Sequence, residues 1–151
     1  MNLSHFTAEH SLVPRSEVQT GRRGDKPVGL WVSVDGPDDW QEWCRSEGWG
    51  DVDSKLRFRV TLADDANVLR IDSTSSLLDF AAEFQDPGGR AWRVNWSAVA
   101  ERWQGIIIAP YQWSCRLGEP DWYYTWDCAS GCIWDADAIS CVELLDSEVA
   151  A

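Results

Sequence analysis

Residues 28–44, VGLWVSVDGPDDWQEWC, pass from the pattern of a strand to that of a helix. Val28–Val34 is a short run of β-branched and aromatic residues, which is typical of a strand. Pro37–Asp39 supplies a proline and two acidic residues, which suit the first turn of a helix. We therefore predict a strand that leads directly into a helix ending near Gly48. One face of that helix is formed by residues spaced i, i+3 and i+4, namely Trp40, Trp43 and Cys44.

Further strands are predicted on both sides of this unit. His5–Thr7 lies in a first short strand, and Ala8–Pro27 is a long loop that follows it. Leu56–Leu62 alternates apolar and polar residues, and Val68–Ile71 follows after a turn, so the two predict a hairpin. The remaining predicted extended segments are Ile106–Ala109, buried on both faces, Trp122–Trp126, a stretch at Ile133 and Trp134, and Ile139–Leu145.

Two more short helices are predicted between these strands. The first is capped by Ser73 or Ser75 and ended by Pro87–Gly89. The second is capped by Asn95 or Ser97, and Gly105 lies just past its end. Strands and short helices thus mix without a regular β-α-β rhythm. We therefore predict a single compact α+β domain over residues 1–151, built on a mixed or antiparallel sheet.

The composition is that of a globular domain with many tryptophans and many acids. Of 151 residues, 44% are hydrophobic and 25% are charged, which excludes a disordered tail or a coiled coil. The chain has 11 tryptophans and a formal net charge of −12. Because so acidic a surface repels phosphates, we expect no non-specific nucleic-acid binding through a basic patch. After Arg116 no basic residue follows, but eight acids do: Glu119, Asp121, Asp127, Asp135, Asp137, Glu143, Asp146 and Glu148.

The sequence also bears on location and on metal binding. No apolar stretch approaches the ~20 residues that cross a bilayer, and Met1–Ser11 lacks the features of a signal peptide. We therefore expect no membrane association and a cytoplasmic location. Five cysteines, an odd number, favour reduced thiols over a disulfide framework. Two histidines provide little material for a metal site or a Ser-His-Asp triad, so we expect no bound metal.

The order of two short motifs resembles a known superfamily. His5–Thr7 forms an H-x-T motif in the first strand, and Gly29–Ser33 lies in the second strand, ahead of the helix. This order resembles the ADP-ribosyltransferase superfamily of the diphtheria-toxin and poly-ADP-ribose-polymerase kind. The resemblance implies a split sheet and NAD as the substrate that is bound. It implies that His5 bonds the nicotinamide ribose and that Trp31 stacks on nicotinamide. The cofactor-site residues that it implies beside them are Thr7, Gly29 and Ser33.

The expected reaction also requires a carboxylate. Breaking the nicotinamide–ribose bond develops an oxocarbenium-like centre, which a nearby negative charge stabilises. The superfamily usually places a glutamate at a late strand, whereas the matching region, Trp126–Trp134, contains none. Asp127 is the nearest acid, and Ser130 takes the place of the glutamate, which leaves open nucleotide binding without transfer. The candidate catalytic residues are therefore His5, Trp31 and Asp127. The candidate cofactor contacts outside the motifs are Tyr111, which offers an aromatic ring, and Arg116, which offers a cation for a pyrophosphate or a carboxylate.

Other interpretations stay open. Residues 26–33, 105–111 and 126–134 also resemble uncharacterised small phage and prophage proteins, which implies a host macromolecule as the target. The acidic C-terminal segment alternatively suits an inhibitor or interaction protein without catalytic activity, which mimics nucleic acid and binds a basic groove. Exposed tryptophans would suit carbohydrate binding. Finally, the two central residues also have purely structural interpretations: His5 would be an ordinary surface histidine, and Trp31 would be a core residue.

Overall fold

The computed structural model describes residues 1–21 and 25–145. The strands are β1 (Leu3–Thr7), β2 (Leu30–Val34), β3 (Leu56–Leu62), β4 (Val68–Ile71), β5 (Gly105–Ile108), β6 (Ser130–Ile133) and β7 (Ile139–Leu145). The helices are α1 (Trp40–Glu47), α2 (Thr74–Glu83) and α3 (Trp96–Arg102), and short 3-10 turns lie between several elements.

The seven strands form one mixed sheet in the order β4-β5-β6-β2-β1-β3-β7. β4 and β5 are parallel, and the other neighbouring pairs are antiparallel. The predicted α+β class with a mixed sheet is therefore confirmed. β5 is buried along its whole length, as the apolar run at 106–109 predicts.

The sheet opens between two central strands. β1 pairs with β3 over all five of its residues, from Leu3 to Thr7. Its pairing with β2 covers only Leu3↔Val34 and Ser4↔Ser33, although β2 continues back to Leu30. Beyond Ser4 the two strands therefore part, although both stay paired on their outer sides, β1 with β3 and β2 with β6.

The predicted hairpin at 56–71 is wrong. Both strands form with the predicted bounds, but β3 pairs with β1 and β7, whereas β4 pairs in parallel with β5 at the far edge. The alternation of apolar residues reports which face of a strand is buried and says nothing about its partner. A parallel partner requires a crossover, which the chain makes through α2 and α3 before it returns as β5.

The predicted strand at Trp122–Trp126 is also wrong, because Asp121–Thr125 is a 3-10 helix. Trp122, Tyr123 and Trp126 are buried, whereas Tyr124 between them is exposed. This spacing is helical and does not alternate. Aromatic residues favour strands, but here Trp122 packs against Phe80 of α2 and Tyr123 stacks on Tyr111, so both are buried without forming one.

Local signals for the helices are confirmed. Ser73 accepts a hydrogen bond from the N–H of Ser76 and caps α2, and Asn95 caps α3. α1 ends at Gly48, which takes the left-handed conformation. The larger apolar cluster contains Leu77, Phe80 and Val99 of the two later helices, and a smaller cluster around Leu3 and Val32 covers the other sheet face.

All five cysteines are free, and all except Cys141 are buried. Within the described residues, no helix is both long and apolar enough to cross a bilayer. The loop after β1 is held against the domain by Gln19, whose side chain bonds both the N–H and the carbonyl of Val28. This contact positions the segment that carries Lys26 beside β2.

Candidate functional site

A cavity of about 350 Å³ lies where β1 and β2 part. Its wall has four sources: residues 4–6 of β1, Lys26 of the loop before β2, residues 31–33 of β2 with Trp40 of α1, and residues 125–128 with Ser130 at the start of β6. Along each strand successive side chains point to opposite faces, yet three consecutive residues of both strands reach this cavity. The opening of the sheet explains this, because it exposes the strand edges as well as one face.

His5 connects the two strands across the opening. Its Nδ1 lies 2.7 Å from the carbonyl oxygen of Trp31. A carbonyl only accepts hydrogen bonds, so Nδ1 carries the proton and donates. In the neutral ring Nε2 is then an acceptor, which is the form that can receive a hydrogen bond from a hydroxyl. The imidazole thus takes the place of a backbone donor where the β1–β2 ladder has ended.

Aromatic rings form much of the cavity wall. Trp31 and Trp126 meet edge to face with their ring centroids 4.9 Å apart. The ammonium of Lys26 lies 5.6 Å from the centroid of the Trp31 ring, in a cation–π arrangement. Trp126 is 1% exposed, and its indole N–H has no hydrogen-bond partner among the described residues. Such a wall suits a planar ring, and it already attracts one positive charge.

Asp127 brings the carboxylate to this wall. Burial raises the pKa of its carboxyl, and the positive charges of Lys26 and Arg116 oppose that shift only in part. The nearest guanidinium nitrogen of Arg116 is 3.6 Å from the carboxylate. An acid with a raised pKa in a cavity is the kind of group that active sites use.

Replacing this acid is expected to stabilise the protein. The ionised form of Asp127 is disfavoured in the folded state, so its cost is absent well below the unfolded pKa, about 3.9, grows as the pH rises from there to the raised folded pKa, and is constant above it. We expect Asp127→Asn to increase the free energy of unfolding slightly at pH 7, because the variant has no carboxylate to bury, and solvent screening of a partly exposed group keeps the gain small. The gain should disappear as the pH falls below the unfolded pKa.

Urea unfolding at several pH values measures this difference. Asp65→Asn, in an exposed turn, is the matched control and should change stability little at any of them. Destabilisation by Asp127→Asn at neutral pH would mean that the ion pair with Arg116 outweighs the cost of burial.

A network of charges lies beside the cavity. Ser4, which lines it, donates to Asp35 at 2.6 Å and accepts from Arg57 at 3.0 Å. The Asp35 carboxylate also accepts from Arg57 and Arg59. Each side of the cavity therefore sets two basic groups against one carboxylate: Arg57 and Arg59 at Asp35, and Lys26 and Arg116 at Asp127.

Four of the five expected cofactor contacts do not line the cavity, and two of these four, Tyr111 and Arg116, support its wall from behind. Thr7 Oγ1 accepts a hydrogen bond from the N–H of Glu9. A Cβ on Gly29 would lie 2.5 Å from the carbonyl oxygen of Ile133, so this glycine allows β2 to approach β6 closely. Tyr111 is buried, and its hydroxyl donates to the carbonyl of Trp126 at 2.6 Å. Arg116 donates to that hydroxyl at 2.8 Å.

Tyr111 and Arg116 therefore hold the segment that contains Trp126 and Asp127. Ser33, by contrast, lines the cavity, and its Oγ accepts the N–H of Trp40 at 2.9 Å. This bond ties the end of β2 to the start of α1.

Sequence reasoning did not single out several lining residues as site residues, among them Phe6, Lys26, Trp40 and Trp126. The sequence does contain a signal for Phe6, because this residue lies inside the motif His5–Thr7, next to a candidate site residue. Lys26 precedes β2 and lies close to Trp31 in the sequence. Nothing in the sequence indicates that Trp126 faces Trp31, because the two are distant in the chain.

The acids of the C-terminal segment lie in different places. Asp127 lines the cavity, whereas Asp135 accepts a hydrogen bond from Gln104 and lines a separate open groove. Asp146 and Glu148 lie outside the described residues. Among the described residues, no three His, Cys, Asp or Glu side chains converge in a way that could hold a metal ion.

The chain matches no family model, and comparisons with curated proteins and with solved structures give no match. The geometry of the cavity is therefore the basis on which a function can be argued.

Proposed function

We propose that the protein is an ADP-ribosyltransferase-like protein that binds NAD in the cavity between β1 and β2. The observation that carries this proposal is that His5, Trp31 and Asp127, from three distant parts of the chain, line one cavity of about 350 Å³. The acidic-mimic alternative needs its carboxylates on one exposed face, and Asp127 and Asp135 lie at separate sites. Transferase-like chemistry needs an acid beside the histidine, and Asp127 fits that need.

The cavity has a group for each part of the reaction. Nicotinamide in NAD is a planar cation, which suits the indoles of Trp31 and Trp126 and the negative charge of Asp127. When the glycosidic bond breaks, its electron pair leaves with the neutral nicotinamide and the ribose carbon becomes positive. A nucleophile of the acceptor then attacks that carbon and releases its proton. Asp127 stabilises the positive charge, and His5 orients the ribose by accepting from a hydroxyl.

Calorimetric titration with NAD tests binding. We expect the wild type to release heat and His5→Ala to bind about tenfold more weakly, because one well-placed hydrogen bond is lost. His10→Ala is the matched control, since the only other histidine is exposed and lies outside the cavity lining. Absence of heat with the wild type, or equal losses for both variants, would remove NAD from the account.

Release of nicotinamide, followed by chromatography, tests turnover separately. We propose a host macromolecule as the acceptor, so the assay includes lysate of a bacterial host as the acceptor source. Asp127→Asn is expected to bind NAD but to release nicotinamide more slowly than the wild type by about 10²-fold, as for loss of an electrostatic stabiliser. NAD binding without release by the wild type would indicate a binding protein that does not transfer.

A further inference from the structure

We infer that three tryptophans at α1 form a docking surface for an arginine-containing segment of a partner protein. These residues, the tryptophan cluster, are Trp40, Trp43 and Trp49. The rings of Trp40 and Trp43 are stacked, with centroids 5.2 Å apart and planes inclined by 13°. Trp49 meets both edge to face, at 5.5 Å and 5.4 Å. This surface does not depend on NAD binding in the cavity.

The local sequence builds this cluster outside the core. Trp40 and Trp43 lie three residues apart on one face of α1. Gly48 ends the helix in the left-handed conformation, and the N–H groups of Gly48 and Trp49 return to the carbonyls of Arg45 and Cys44. The chain therefore folds back and places Trp49 on the other two rings. Trp49 remains 57% exposed, an unusual place for so large an apolar side chain.

The surroundings of the cluster are strongly acidic. Residues 36–53 contain six acids and one basic residue, Arg45, which is already paired with Asp53 at 2.7 Å. Glu47 lies one helical turn from Trp43 on the same face and is exposed. Within the described part of the chain, neither Glu42 nor Glu47 forms a salt bridge. Exposed rings among unpaired carboxylates attract a cation and repel a phosphate chain.

Arginine fits this chemistry best. Its guanidinium is planar, stacks on an indole and donates to a carboxylate at the same time. The protein uses the same stacking internally, because the guanidinium carbon of Arg102 lies 4.4 Å from the ring centroid of Trp103. Trp40 belongs to the cluster and also lines the cavity, so a segment bound here lies next to the cavity.

The test uses the full chain and a short synthetic peptide in which arginine alternates with serine. Binding is measured by tryptophan fluorescence and by calorimetry, without NAD, alongside a peptide with lysine in place of arginine. We expect the arginine peptide to bind more tightly than the lysine peptide. Trp49→Ala should weaken its binding by about tenfold. Glu47→Gln should weaken it by about threefold, and added salt should weaken it further.

Two matched controls show whether peptide affinity depends on this surface in particular, and not on the net charge of the protein or on any exposed tryptophan. Trp92 is exposed to a similar extent, 53%, and Trp92→Ala should leave peptide affinity unchanged. Asp65→Asn removes one charge at an exposed turn and should also leave affinity unchanged. Failure of the wild type to bind, equal affinity for both peptides, or equal losses for Trp49→Ala and Trp92→Ala would each overturn the inference. An absence of heat with NAD would count only against the proposed function.

Discussion

Trp122→Ala is expected to lower the free energy of unfolding by about 4 kcal/mol, the usual scale for removing a buried tryptophan. Trp122 is 2% exposed. Its ring meets Phe80 of α2, with centroids 5.8 Å apart, and Trp96 of α3, with centroids 6.1 Å apart. It also meets Trp126, the wall residue of the cavity, at 6.2 Å. The variant would leave a cavity, because Phe80, Trp96 and Trp126 are held in different parts of the chain and cannot all move in to fill it.

Urea unfolding of the wild type and the variant measures this loss. Total stabilities of small domains are about 5–15 kcal/mol, so the variant should have a much lower urea midpoint. Trp92→Ala removes an equally large but exposed side chain and should change the free energy of unfolding by less than about 0.5 kcal/mol. Similar losses for the two variants would contradict the packing described for Trp122.

The consequence should extend to the cavity. The 3-10 helix Asp121–Thr125 leads directly into Trp126 and Asp127. Because Trp122 packs this helix against α2 and α3, its loss should loosen the wall that carries the carboxylate. Trp122→Ala is therefore expected to weaken the proposed binding of NAD even at temperatures where the variant is folded.

Gly131→Ala is expected to destabilise the protein by about 3 kcal/mol, at the upper end for overpacking a core. A Cβ at Gly131 would lie 2.5 Å from the carbonyl oxygen of Ile106 and 2.7 Å from Cγ1 of Ile107. The first of these atoms belongs to the backbone of β5 and cannot rotate away. β5 and β6 would have to separate in the middle of the sheet, where both strands are fully buried.

Gly118→Ala provides the matched control for this prediction. Its added Cβ would be 3.6 Å from its nearest non-adjacent neighbour, the carbonyl oxygen of Ser114, which is an ordinary contact. This substitution should leave the free energy of unfolding nearly unchanged or raise it slightly, because alanine in place of glycine lowers the conformational entropy of the unfolded chain. Chemical denaturation of both variants gives the comparison. Equal stability of Gly131→Ala and the wild type would mean that β5 and β6 are not so closely packed.

Local structure followed from local sequence in most places. β3, β4 and β7 have the predicted bounds, because each is a short segment whose apolar pattern and flanking turns act within a few residues. The caps at Ser73 and Asn95 were indicated by the same kind of short-range chemistry, a side-chain oxygen accepting a nearby N–H. The segment Asp121–Thr125 is a 3-10 helix and not the predicted strand, because Trp122 is buried against α2 and α3 and Tyr123 stacks on Tyr111, contacts that strand propensity does not describe.

The candidate site was predictable only in part. His5 and Trp31 were singled out by motif order, and Asp127 by being the one acid in its region, and all three line the same cavity. Tyr111 and Arg116 were expected to touch a cofactor, whereas they bond to one another and hold the wall behind it. Their chemistry suits either role, and only packing distinguishes a lining residue from a supporting one.

The sequence by itself determined most of the strands and the helix caps, because these depend on neighbours within a few positions along the chain, and it determined the acidic charge through composition alone. Tertiary structure alone decided that β4 joins β5, that β1 and β2 part beyond Ser4, and that Trp126 faces Trp31. These contacts join residues far apart in sequence, and their choice depends on how the whole core packs, which no local pattern encodes.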